Sequence, residues 1–200
     1  MTHITLQLKR NIPGLQKIWH SANETCRLIE GYLSPGDEIG PHTHPLGEDC
    51  AIVLSGRLTY YLSNTRTMEV GPGEVVFGFQ NVIHGYANLY KEPVHLLIFA
   101  TPKDTGLAYP SENDPAVIHL PDHARVLSPA SKPASTRESA YSSFSFVDVE
   151  EVYELPHEEG MTNVFVDFEQ KQVHIFDNLP VSLHVDFGAE KKFLRYQVRS

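Results

Sequence analysis

Gly36-Asp37-Glu38-Ile39-Gly40-Pro41-His42-Thr43-His44-Pro45-Leu46-Gly47-Glu48-Asp49, with Gly56 closing the stretch, decides how this chain is read. Residues two apart on an extended strand point to the same face, so the imidazoles of His42 and His44 can reach one ion. Pro45-Leu46-Gly47 is rich in turn formers and brings the chain back at Asp49. His84 follows a later strand that also ends in a turn. The result is three nitrogens and one oxygen, a donor set suited to iron, manganese, nickel, zinc or copper rather than to magnesium or calcium, which take all-oxygen shells. Taken singly, each histidine reads as an ordinary core or surface residue; the joint spacing carries the metal reading.

This stretch resembles the first signature motif of the cupin superfamily: glycine, a spacer, His-x-His, a short spacer, an acid, a spacer and glycine. By spacing the acid is Asp49, where cupins usually carry glutamate. Aspartate is one methylene shorter. Either the strand moves inward, or a water bridges Asp49 to the ion, or Glu48 turns in to replace it. Gly73 through Asn88 is similar to the second cupin motif, with Gly73, His84 and Asn88 in place, Phe79 where proline is usual and Asn81 where glycine is usual. Asparagine tolerates positive φ better than other non-glycine residues, so Asn81 can still form that turn. The resemblance implies an all-β fold, a double-stranded β-helix (jelly-roll) barrel. It also implies a divalent transition metal (Fe, Mn, Ni or Zn) held by His42, His44, Asp49 and His84, and pairing into a homodimer.

Outward from the motifs the chain falls into short apolar runs separated by turns: 50–54, 57–63, 74–79 and 95–100, punctuated by Pro35-Gly36, Ser55-Gly56, Ser63-Asn64 and Gly71-Pro72-Gly73. Many short strands at even spacing imply a sandwich or barrel. Two further strands, around Ile4–Leu8 and Cys26–Leu33, are expected beside it. From Thr101 to Ser143 prolines recur and a Ser/Ala-rich run begins at Ser128, so a linker or lid is expected. A short ordered piece at 116–120 would bury Val117 and Ile118. Strand signals return at 144–149, 163–168, 172–176, 181–187 and 193–198. The expected organisation is a barrel over 1–105, a linker or lid over 106–143 and a C-terminal β extension over 144–200. The extension is read as widening the barrel's sheets or mediating dimerisation, with no metal of its own.

The chain has 200 residues, 41% of them hydrophobic, and a formal charge of −9. That suffices for an independent core. Phosphate backbones are bound by clustered Lys and Arg, and here the basic residues are scattered, so a nucleic-acid partner is not expected. With two cysteines, Cys26 and Cys50, and neither a signal-type segment nor a long apolar span, the expectation is a cytoplasmic protein with no membrane partner. Alternation turns Cys50 away from the metal face, as a buried thiol.

Parity from His84 puts Tyr86 and Asn88 on the ligand side. Tyr86 could donate to a substrate oxygen or act as an acid, or simply pack. One of Tyr60 and Tyr61 should point inward as core. His95 reads as a satisfied or exposed side chain more readily than as a support for a ligand. The leading expectation is a metal-dependent cupin acting on a small polar molecule, with an iron-dependent dioxygenase favoured among the reactions the resemblance allows. The alternatives are a non-enzymatic small-ligand-binding or sensing protein, and a cupin isomerase or lyase.

Overall fold

The computed structural model describes residues 2–9, 11–102, 105–130, 135–179 and 181–199. Among these, the chain is built of β-strands and one short 3₁₀ turn, Asp122–Ala124. The strands are β1 (Thr2–Gln7), β2 (Gly14–His20), β3 (Arg27–Leu33), β4 (Glu38–His42), β5 (Glu48–Ser55), β6 (Leu58–Tyr61), β7 (Thr67–Val70), β8 (Val75–Gly78), β9 (His84–Ala87), β10 (Val94–Thr101) and β11 (Val126–Leu127). Then follow β12 (Thr136–Glu138), β13 (Ser142–Val149), β14 (Val152–Leu155), β15 (Met161–Asp167), β16 (Gln172–Asp177), β17 (Leu183–Asp186) and β18 (Lys191–Arg199). No helix among the described residues is long and apolar enough to cross a membrane.

The chain divides into two compact units, and the first comprises Arg10–His20 and Cys26–Ser128. Its two sheets have the strand orders β11-β8-β5-β10-β3-β2 and β4-β9-β6-β7. Alternation decides which side chains fill the space they enclose. On β5, Ala51 and Val53 join Leu96 and Ile98 of β10, Tyr60 of β6 and Tyr86 of β9 in one buried cluster. Cys50 and Ile52, of opposite parity, are buried on the other face of that strand. Both cysteines are buried thiols rather than a disulfide. Asn81 sits at φ 59°, so it makes the positive-φ turn in place of glycine.

The proline-rich stretch is more ordered than its composition suggests. Thr43 bridges to Ala108, and β11 pairs with β8. Arg125, only 2% exposed, donates from Nη2 to Tyr60 Oη (2.9 Å) and Ile83 O (2.7 Å) and from Nη1 to Leu62 O (3.2 Å). As far as Ser128 this stretch therefore clusters with the barrel strands, and from Pro129 the chain clusters with the C-terminal strands. At 116–120 no strand or helix forms, and the burial expected of Ile118 is not met, since it is 49% exposed. The backbone is tied instead by Ile118 N–H donating to Asn81 O (2.9 Å).

The second unit comprises Met1–Lys9, Ser21–Thr25 and Pro129–Ser200. Its main sheet has the order β1-β16-β15-β18-β13-β12, beside the pair β14-β17. Phe165, Phe176 and Phe193 form its core with Val149, Leu155 and Val185. These strands form sheets of their own instead of widening the barrel's, which corrects the expectation drawn from the sequence. β1 pairs with β16 from Thr2↔Asp177 to Gln7↔Gln172, so the backbone groups of β1 on that side are satisfied within the C-terminal sheet.

Candidate metal centre

The local reason for the site is an extra residue in β4. Ile39 pairs with Tyr86, but the next pair is His42 with His84, so three steps on β4 match two on β9. A bulge of this kind re-aims the following side chain, and here it falls between Ile39 and His42, where Pro41 has no N–H to give the ladder. Without it Pro41, not His42, would face His84.

His42, His44 and His84 are all buried, and one ring nitrogen from each lies within 4.8 Å of the others. Their hydrogen bonds decide which nitrogen that is. His42 Nδ1 donates to Gly40 O (2.7 Å), His84 Nδ1 donates to Val82 O (2.9 Å), and His44 Nδ1 donates to Gly106 O (2.5 Å) with Thr105 Oγ1 at 2.9 Å. A carbonyl only accepts, so each Nδ1 carries the proton and each Nε2 keeps its lone pair. The Nε2 atoms of His44 and His84 are buried and have no hydrogen-bond partner. Neutral imidazoles locked by backbone carbonyls, with lone pairs converging, are what a transition metal requires of its ligands. The residues fit such an ion.

Asp49 is beside this group without being one of the three mutually close donors. Its Oδ2 is 3.7 Å from His44 Nε2, while Oδ1 accepts from Tyr86 Oη at 2.6 Å. Two ligands of one ion stand about 3–4 Å apart when each bond is near 2.1 Å, so Asp49 is in register with His44 but turned towards Tyr86. Glu48 has the parity of Cys50 and is buried on the opposite face of β5, so the carboxylate on the histidine side is Asp49.

The electrostatics favour the neutral ring at His84 and His42, and act the other way at His44, where the Asp49 carboxylate favours the proton. Burial, followed by the proximity of His42, holds the His84 pKa down to about 3. Burial likewise lowers His42. Burial also acts against a charged His44, but the Asp49 carboxylate outweighs it and raises that group. For Asp49 burial raises the pKa, yet His44, His84 and Tyr86 together leave it below the usual carboxylate range. Burial, then Asp49, pushes the Tyr86 hydroxyl well up. Tyr86 is thus a protonated donor to Asp49, on the face that alternation from His84 requires. Asn88 instead donates from Nδ2 to Leu33 O (3.0 Å) and Glu92 O (2.9 Å). Tyr60 is the inward member of its pair, and His95 Nε2 meets buried Glu30 Oε1 at 2.8 Å.

Three contributors were not legible in the sequence. Gly78, the cross-strand partner of Asp49, leaves room that a Cβ would take from the His84 ring and the Asp49 carbonyl. Gly106 supplies the carbonyl that orients His44. Arg27 lines the cavity of about 450 Å³ that His42, His44, Asp49 and Tyr86 also line. None of the three has a motif, because each acts through a neighbour remote in sequence.

A family model described as a cupin domain matches residues 30–100. Among solved structures, salicylate 1,2-dioxygenase from Pseudaminobacter salicylatoxidans is 11% identical, covers 88% of this chain and 71% of its own, and superposes with a TM-score of 0.63. AerE from Microcystis aeruginosa is 14% identical, covers 94% of this chain and 98% of its own, with a TM-score of 0.57. At these identities the likeness is one of fold. Among curated proteins no sequence matches.

Proposed function

We propose, from the match of residues 30–100 to a cupin domain model, that this protein is a metal-dependent cupin acting on a small polar molecule, with an iron-dependent dioxygenase the favoured reaction. The observation that carries the reading is the convergence of three buried histidines whose Nδ1 protons are all committed to carbonyls. In this proposal His42, His44 and His84 hold the ion through Nε2, and Asp49 is the fourth donor. A bound iron would supply Lewis acidity and redox chemistry, with positions left open for an oxygen-bearing substrate. The remaining work falls to the chain's own groups. Tyr86 keeps its proton and holds Asp49 through Oδ1, so Oδ2 stays ionised and turned towards the histidines. Tyr86 is in this scheme a positioning residue for Asp49 rather than the acid itself.

The preference for oxygenase chemistry draws support from the shared fold of salicylate 1,2-dioxygenase, a dioxygenase by name. A homodimer belongs to the same reading, and light scattering that returns a monomer mass would remove it. The test of the function is metal analysis of the purified protein and of His42→Ala, followed by oxygen-consumption screening. Iron bound by the wild type and lost from the variant, together with substrate-dependent oxygen uptake, is the expected result. Full metal content in His42→Ala would defeat the reading. Iron-loaded protein that binds small molecules without turning them over would favour the sensing alternative.

A further inference from the structure

The cavity wall carries one charge that the protein leaves unanswered. Arg27 stands on β3, where alternation puts Arg27 and Ile29 on the cavity side. Its Nε is buried without a hydrogen-bond partner, although the residue as a whole is only half-buried. The carboxylates on the same wall are otherwise engaged. Asp49 accepts from Tyr86 and faces His44, and Glu38 Oε1 accepts from Tyr61 Oη at 2.6 Å. A buried N–H of a charged group with nothing to donate to costs more than about 1–3 kcal/mol, a penalty that a bound anion would remove. Arg27 lines the same cavity as His42, His44 and Asp49, which sets the guanidinium on the wall of the histidine cluster.

The rest of the wall is hydrocarbon. Ile29 pairs with Ile98 across β3 and β10, and both line the cavity. At its mouth are Leu107 and Tyr109, which are 56% and 74% exposed. Exposed apolar side chains around a concave, partly charged site are the usual form of a small-ligand pocket.

We propose that the cavity takes a small organic carboxylate with an apolar body, the carboxylate forked on the Arg27 guanidinium and the body against Ile29, Ile98 and Leu107. This rests on the reading of the histidine cluster as the centre of the site and names the substrate class for it. Arginine suits the task because its planar donors match a carboxylate two to two. A phosphate ester fits less well, since it would call for further cations or a backbone nest that this wall does not provide.

The experiment is calorimetric titration of the iron-loaded, anaerobic full-length protein with two acid and amide pairs, benzoate against benzamide and hexanoate against hexanamide. A charge-assisted fork should favour at least one acid over its amide by roughly tenfold or more. Arg27→Gln should abolish that preference while leaving the iron content and the amide affinity unchanged. Arg27→Lys, which keeps the charge but not the fork, should retain part of it. Equal binding of acid and amide in both pairs by the wild type overturns the proposal even if neither variant folds. So does a preference that survives Arg27→Gln. The two readings fail separately. Protein that binds no iron but still discriminates through Arg27 would sink the metal centre alone, and iron-loaded protein without discrimination would sink the carboxylate site alone.

Discussion

His84 should make the barrel unit acid-sensitive by a calculable amount. Its ring is fully buried and its pKa is held down to about 3 by burial and by His42, against about 6.5 in an unfolded chain. Between those values the native state binds fewer protons than the unfolded state. The stabilising contribution is therefore complete above pH 6.5 and is lost as pH falls towards 3. At 1.36 kcal/mol per unit, the fall from pH 6.5 to 5 removes about 2 kcal/mol, and the whole interval about 5 kcal/mol. Trp19 is the single tryptophan and belongs to the barrel unit, so its fluorescence reports unfolding of that unit. Urea unfolding of chelator-treated protein at about pH 7.5 and pH 5 would be compared with the same pair for His84→Gln. The variant loses stability at both values but keeps no ionisable group at this position. The wild type should therefore lose about 2 kcal/mol more than the variant on acidification. His174, also lowered to about 4, acts in the same direction but is present in both proteins and lies in the other unit. Equal acid losses in wild type and variant would refute the burial argument.

Gly78→Ala places a methyl where the His84 ring and the Asp49 carbonyl already stand; it should cost about 1–3 kcal/mol and lower the content of the proposed metal, measured by urea unfolding and elemental analysis. Tyr86→Phe strips Asp49 Oδ1 of its donor and should cost about 1.5–3 kcal/mol while metal content persists through the three histidines; loss of metal would show that Tyr86 supports the histidines as well. Arg125→Met leaves the Leu62 and Ile83 carbonyls and the Tyr60 hydroxyl without their donor. It should destabilise the barrel unit by about 2–4 kcal/mol, and a change within 0.5 kcal/mol would mean that the stretch around Arg125 contributes nothing to the barrel.

What the amino-acid order determines by itself is what depends on near neighbours. The two-residue repeat of a strand puts His42 with His44, and Tyr86 with His84, and turns Cys50 away; turn chemistry at Asn81 follows from the residue's own tolerance of positive φ. Apolar runs between turns marked β3, β5, β6, β8 and β10 of the barrel unit. β2, β4, β7, β9 and β11 lie outside those runs; Gly14–His20 is mostly exposed, and Glu38–His42 carries glycine and proline rather than an apolar repeat. Only the tertiary structure decided the rest. Whether Asp49 faces the histidines or a tyrosine, which carbonyl holds His44, which sheet receives β1 and what stands opposite Arg27 are all cross-strand relations. Such relations depend on register, and a single extra residue between Ile39 and His42 shifts the register that sets His42 against His84. Periodicity within a strand is carried by the chain locally, whereas the choice of partner is made by the packing of the whole barrel.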